Sequence, residues 1–94
     1  MIDHASEMAA FVRVVDSKGF SAAAPSLGLT PSAVSRSLQR LEERLHTRLL
    51  YRTTRSVTLT EEGARFHERV IRVLTDLEEA EAEAEELHEL LDGD

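Results

Sequence analysis

The chain has 94 residues, no cysteine and a formal net charge of −7. That length suits one domain with one modest core. The lack of cysteine excludes a disulfide framework and a thiolate metal site, and points to a reducing, cytoplasmic setting. No uncharged apolar run is long enough to cross a bilayer, and no basic segment precedes an apolar stretch at the start, so neither an anchor nor a leader is expected.

Taken as an average, the acid excess argues against a nucleic-acid partner, because phosphate binding draws on surplus Lys and Arg. The distribution reverses this. Residues 1–60 carry eight basic and five acidic side chains, net +3, with arginines concentrated between Arg36 and Arg55. Residues 61–94 carry three arginines and thirteen acids, net −10, and hold no Lys or Arg after Arg72. Such asymmetry predicts two jobs, divided between residues 1–60 and 61–94.

Met8, Phe11, Val12 and Val15 fall at i, i+3, i+4 and i+7 and predict an amphipathic helix. Asp3 or Ser6 is the expected cap, and Gly19 suits its end. Ser21 is the expected cap of a second, short helix through Ala22, Ala23, Ala24 and Leu27, stopped by a positive φ at Gly28. Pro25 would then fall in its fourth position, so that this helix is expected to start late or bend.

Thr30-Pro31 predicts the start of a third helix, a favoured cap followed by a proline that costs no hydrogen bond there. Val34, Leu38, Leu41 and Leu45 share one face. Ser32, Ser35, Arg36, Gln39 and Glu43 share the other. Serine is a mediocre helix former, so this outer face reads as a binding surface. An ordinary polar face is the alternative.

Leu49–Arg52 and Val57–Leu59 predict a short hairpin with Thr53, Thr54, Arg55 and Ser56 at its tip. Alone, the tip reads as a solvated loop. Beside the Ser/Arg/Gln helix it becomes a second candidate contact.

Thr60 with Glu61 and Glu62 predicts the start of a long helix, acids being favoured at its dipole's positive end. Phe66, Val70, Val73, Leu77, Ala80, Ala84, Leu87 and Leu91 repeat in an unbroken heptad pattern. At about 1.5 Å per residue the helix would be roughly 48 Å long, more than sixty other residues can cover, so its outer part needs a partner. A parallel pair would set −10 beside −10. Antiparallel pairing brings Arg65, Arg69 and Arg72 near the partner's acids and is expected. Packing on a further domain is the alternative.

Several motifs in this order carry a resemblance. They are Phe11-Val12-Arg13-Val14-Val15, Gly19-Phe20-Ser21-Ala22-Ala23-Ala24, Leu27 through Arg36, Leu41-Glu42, Arg48-Leu49-Leu50, Arg52-Thr53-Thr54-Arg55 and Leu59-Thr60-Glu61-Glu62-Gly63. Together they resemble the N-terminal DNA-binding domain of LysR-type transcriptional regulators. The resemblance implies a mainly α, winged helix-turn-helix fold of three helices plus a β-hairpin wing, followed by a long dimerisation helix.

It also implies a sequence-specific regulator that binds double-stranded DNA as an antiparallel homodimer on a dyad-symmetric site. Thr30, Pro31, Ser32, Ser35, Arg36 and Gln39 occupy the family's major-groove positions. Arg36 is expected to read a base. Thr30, Ser32 and Ser35 are expected on phosphates, with amides of the helix N-terminus. Arg52, Thr53 and Arg55 map to the wing. Arg40 and Arg44 either add phosphate contacts or pair with Glu43 and its neighbours. The seam from Phe66 to Leu91 maps to the dimer interface. Family members also carry a C-terminal effector domain, which is expected to be absent from this chain. With it, a tetramer and a small-molecule inducer come into question.

No cofactor or metal is expected, and no enzyme. His4, His46, His67 and His88 are scattered without a nucleophile set, and Glu85-x-x-His88 reads as a chance match within a Glu-rich run. A coiled-coil interaction module explains residues 66–91 but neither the Ser/Arg face nor the wing. A winged-helix repressor of another family is the remaining alternative.

Overall fold

A computed structural model describes residues 4–53 and 56–92. In chain order the elements are α1 (His4–Ser17), α2 (Phe20–Leu27), α3 (Pro31–Leu45), β1 (Leu50–Arg52), β2 (Val57–Leu59) and α4 (Glu61–Asp92). The mainly helical fold, with its hairpin between α3 and α4, follows the expected order.

The inward face of α1 is centred on Ala10, Phe11 and Val14, with Val12 and Val15 on its flanks. The predicted stripe missed Val14, because this helix is apolar over a broad arc and periodicity alone does not select its centre. Ser6 lies inside α1 rather than capping it, and Asp3 is outside the described residues. The left-handed step after α1 is taken by Lys18 (φ 64°), not by Gly19. The Gly19 amide then donates to the Val14 carbonyl at 3.2 Å.

Gly19, without a side-chain cap, opens α2. Ser21 therefore sits in the first turn instead of capping it. Pro25 is interior to α2, and the helix starts early rather than late. Its ring is exposed, and lacking an amide it leaves the Ser21 carbonyl without its usual helical donor. Gly28 (φ 68°) closes α2 as expected, with the Leu29 amide donating to the Ala24 carbonyl at 3.1 Å.

Val34, Leu38 and Leu41 of α3 are fully buried against α1 and α2. Leu49 and Leu50 complete this core, and β1 and β2 pair antiparallel with Leu50 opposite Leu59 and Arg52 opposite Val57. Removing Phe11, the largest buried side chain, would cost about 3–5 kcal/mol.

Helix α4 is moored at its N-terminus. Thr60 is buried; its Oγ1 accepts from the Gly63 amide at 2.9 Å and donates to the Arg48 carbonyl at 2.7 Å. Gly63 is required by close approach, since a β-carbon there would fall on the Leu49 carbonyl oxygen. Phe66 packs against Phe11 with ring centroids 5.5 Å apart and planes inclined by 51°, and Val70 is 2% exposed. The first two positions of the predicted seam thus belong to the chain's own packing, a correction to an interface running from Phe66. Beyond Val70 the helix leaves the body, and the molecule measures 56 × 25 × 25 Å. Along it Val73, Leu77, Leu87 and Leu91 are exposed, as are Ala80 and Ala84. Among the described residues, no helix is long and apolar enough to cross a membrane.

Candidate nucleic-acid interface

The outer face of α3 follows from its inner one. With Val34, Leu38 and Leu41 buried, the helical repeat turns Ser32, Arg36, Gln39 and Arg40 outward, and all four are exposed. Among the described residues, no hydrogen bond or ion pair engages Arg36, Gln39 or Arg40. They stand as free donors on one surface.

The N-terminus of α3 is more occupied than expected. Thr30 caps it, Oγ1 accepting from the Ala33 amide at 3.1 Å, and the Val34 amide donates to the Thr30 carbonyl at 3.0 Å. Pro31 has no amide. The Ser32 amide is left for an anion, together with the Ser32 hydroxyl and the Thr30 hydroxyl proton.

Arg52 and Arg44 are held inward. Arg52 Nη2 is 2.8 Å from Glu42 Oε1, its Nη1 is 3.5 Å from Ser35 Oγ, and its Cζ lies 5.1 Å from the centre of the Phe20 ring. An arginine that maps to the wing is thus tied to α2 and α3. Arg44 pairs with Glu7 of α1 at 2.7 Å rather than with Glu43. Arg44 is thereby tied to α1, while among the described residues Arg40 has no partner.

Sequence reasoning missed the use of Glu42. Its Oε2 accepts from the amides of Leu49 and Leu50 at 2.8 and 3.1 Å, while Oε1 serves Arg52. A signal was present. Glu42 lies four residues after Leu38 and three before Leu45, on the apolar flank of α3, where a solvent acid does not belong.

At the wing, Thr53 closes the turn. Its Oγ1 accepts from the Ser56 amide at 3.0 Å, and its own amide donates to the Ser56 carbonyl at 3.0 Å. Thr54 and Arg55 are outside the described residues, so the expected wing contact of Arg55 falls there too. His88 Nε2 is 3.1 Å from Asp92 Oδ2, an ordinary pair one helical turn apart. His67 packs edge-on to Phe11 at 5.9 Å.

A helix presented outward by two others, with a hairpin beside it, is the geometry of a winged helix-turn-helix domain, a class that reads double-stranded DNA. Residues 5–64 match the family described as bacterial regulatory helix-turn-helix protein, lysR family. The chain therefore belongs to the lysR family of bacterial helix-turn-helix transcription regulators.

It is 46% identical over 93 residues to the HTH-type transcriptional regulator CrgA of Neisseria meningitidis, matching 99% of this chain and 31% of that protein. An HTH-type transcriptional regulator of Xanthomonas campestris pv. campestris is 56% identical over 72 residues, 77% of this chain and 21% of that protein. Among solved structures, the BenM DNA-binding domain in complex with catB site 1 DNA superposes with a TM-score of 0.87 at 29% identity, over 95% of this chain and 96% of that one. The benA site 1 complex gives 0.84 at 30% identity, over 96% and 98%. The chain spans about a third of the length of the first of these curated relatives.

Proposed function

We propose that this chain is the DNA-reading and dimerising part of a cytoplasmic transcription regulator, two copies placing their α3 helices in successive major grooves of a dyad-symmetric site. The observation that carries the reading is the outer face of α3, where Arg36, Gln39 and Arg40 are exposed and unengaged beside Ser32. Arg36 reads a base, its fork matching guanine O6 and N7. Thr30, Ser32 and Ser35 donate to phosphates near Pro31, Gln39 supports base readout, and Arg40 holds the backbone. Thr53 and Arg55 bring the wing to the adjacent backbone.

The exposed seam Val73, Leu77, Ala80, Ala84, Leu87 and Leu91 supports pairing through α4. The charge split along the helix favours an antiparallel pair. Any inducer site or tetramer contact belongs to the part of the relatives' length that this chain does not span.

The test is selection of bound duplexes from a randomised pool. A two-fold symmetric consensus, with affinity falling steeply as salt rises, is the expected result. Recovery of unrelated sequences would overturn the specific-reading role.

A further inference from the structure

We propose that Arg52 is a positioning residue for DNA reading rather than a phosphate contact, holding the wing at a fixed distance from α3 through Glu42. The inference rests on the DNA-reading function proposed above.

Arg52 joins three elements at once. Its guanidinium reaches Glu42 and Ser35 on α3, covers Phe20 of α2, and belongs to β1. The Glu42 carboxylate is occupied on both oxygens, Oε1 by Arg52 and Oε2 by the amides that lead into β1. One end of the strand is therefore set by the carboxylate directly, and the other by the arginine two residues on. The ladder carries that placement to β2, because Arg52 lies opposite Val57.

The charges lead to the same conclusion. Arg52 and Glu42 neutralise each other at 2.8 Å, with side chains 25% and 16% exposed. A phosphate bonded to the N–H groups that Glu42 leaves free would have to share the guanidinium's charge with that carboxylate, which weakens the contact. A planar fork that bonds a carboxylate and covers a ring is also a task lysine cannot reproduce.

The experiment compares the wild-type chain with Arg52→Lys, Arg52→Ala and Glu42→Gln. Two duplexes are used as probes, one selected by the wild type from a randomised pool and a scrambled one of equal length. Arg52→Lys keeps the charge, so a phosphate contact would leave binding nearly unchanged. Positioning predicts instead that discrimination between the duplexes falls about tenfold, with an unaltered salt slope. Glu42→Gln removes an acid near DNA, and simple attraction would tighten binding. Positioning predicts weaker selective binding, and a double variant no worse than either single one. In Glu42→Gln, amide exchange should accelerate at Leu49 and Leu50 while α1 stays protected.

Phe20→Leu removes the ring beneath Arg52 but keeps apolar packing, and should repeat the pattern more weakly even if the charge variants melt. Wild-type-like discrimination in Arg52→Lys, tighter binding in Glu42→Gln, or a salt slope lowered by about one in Arg52→Ala would each overturn the proposal. Failure of the wild type to bind either duplex would overturn the functional reading itself. Normal wild-type binding with unaffected variants would overturn this inference alone.

Discussion

Gly63 lies so close to Leu49 that a side chain at position 63 would occupy the place of the Leu49 carbonyl oxygen. That carbonyl also accepts from the Thr60 amide at 3.0 Å, so backbone meets backbone and no flexible side chain can yield. Gly63→Ala should destabilise the chain by about 1–3 kcal/mol, read from the urea midpoint. Gly28 offers a comparison, having open space around it but a φ of +68°. Its alanine variant should lose about 1–2 kcal/mol from backbone strain alone. A Gly63→Ala chain as stable as wild type would disprove the close approach.

Thr60 serves both sides of the same joint, capping α4 through the Gly63 amide and satisfying the Arg48 carbonyl. Thr60→Val keeps the shape and removes both bonds from a buried site. The expected loss is about 1–2 kcal/mol, with Thr60→Ser recovering most of it. Equal stability of the valine and threonine chains would contradict this role.

Arg36 and Arg40 are exposed on the outer face of α3, so their alanine variants should melt within about 0.5 kcal/mol of wild type. They should differ on DNA. Arg36→Ala is expected to cost about 1–3 kcal/mol on a selected duplex and to relax one base position per half-site. Arg40→Ala should weaken all duplexes alike and lower the salt slope by about one. Gel-shift titrations at several salt concentrations separate the two. Equal losses from Arg36→Ala on selected and random DNA would remove its base-reading role.

Two residues of one heptad pattern should respond oppositely. Leu77 is 47% exposed, and Leu77→Glu should yield monomers by light scattering with little change in the stability of the reading head. Val70 is buried within the chain, and Val70→Ala should cost stability, about 2 kcal/mol, while dimer mass persists. A Leu77→Glu chain of unchanged mass would exclude pairing through this seam.

The parts legible in the sequence were those decided locally. Thr30-Pro31 and Thr60-Glu61-Glu62 start α3 and α4 where expected, because capping needs a partner only three residues away. Gly28 ends α2 for a similarly local reason. The hairpin lay between two clear helix boundaries. Misreadings arose where neighbours compete or partners are remote. Gly19 rather than Ser21 opens α2, because Lys18 takes the left-handed turn one residue earlier. The arginines could be counted but not assigned. Whether Arg44 meets Glu7, 37 residues away, depends on how α1 crosses α3, and that crossing follows from packing rather than from spacing.

The heptad pattern was equally visible along its whole length, yet it conceals a division of labour. Phe66 and Val70 share the apolar period of Leu77 and Leu87 but are covered by the chain's own body. Periodicity marks the face that must be covered, not what covers it.

The mooring of α4 also makes it a lever. Residues 71–92 project about 33 Å beyond the last buried contact at Val70, at about 1.5 Å per residue. From the Thr60–Gly63 joint to the tip is about 44 Å, so a tilt of about 10° there would carry the tip about 8 Å, more than two base-pair steps of about 3.4 Å. In the proposed dimer, loosening a single glycine contact, far from any base, would thus blur the spacing between two half-sites before it weakened either reading head.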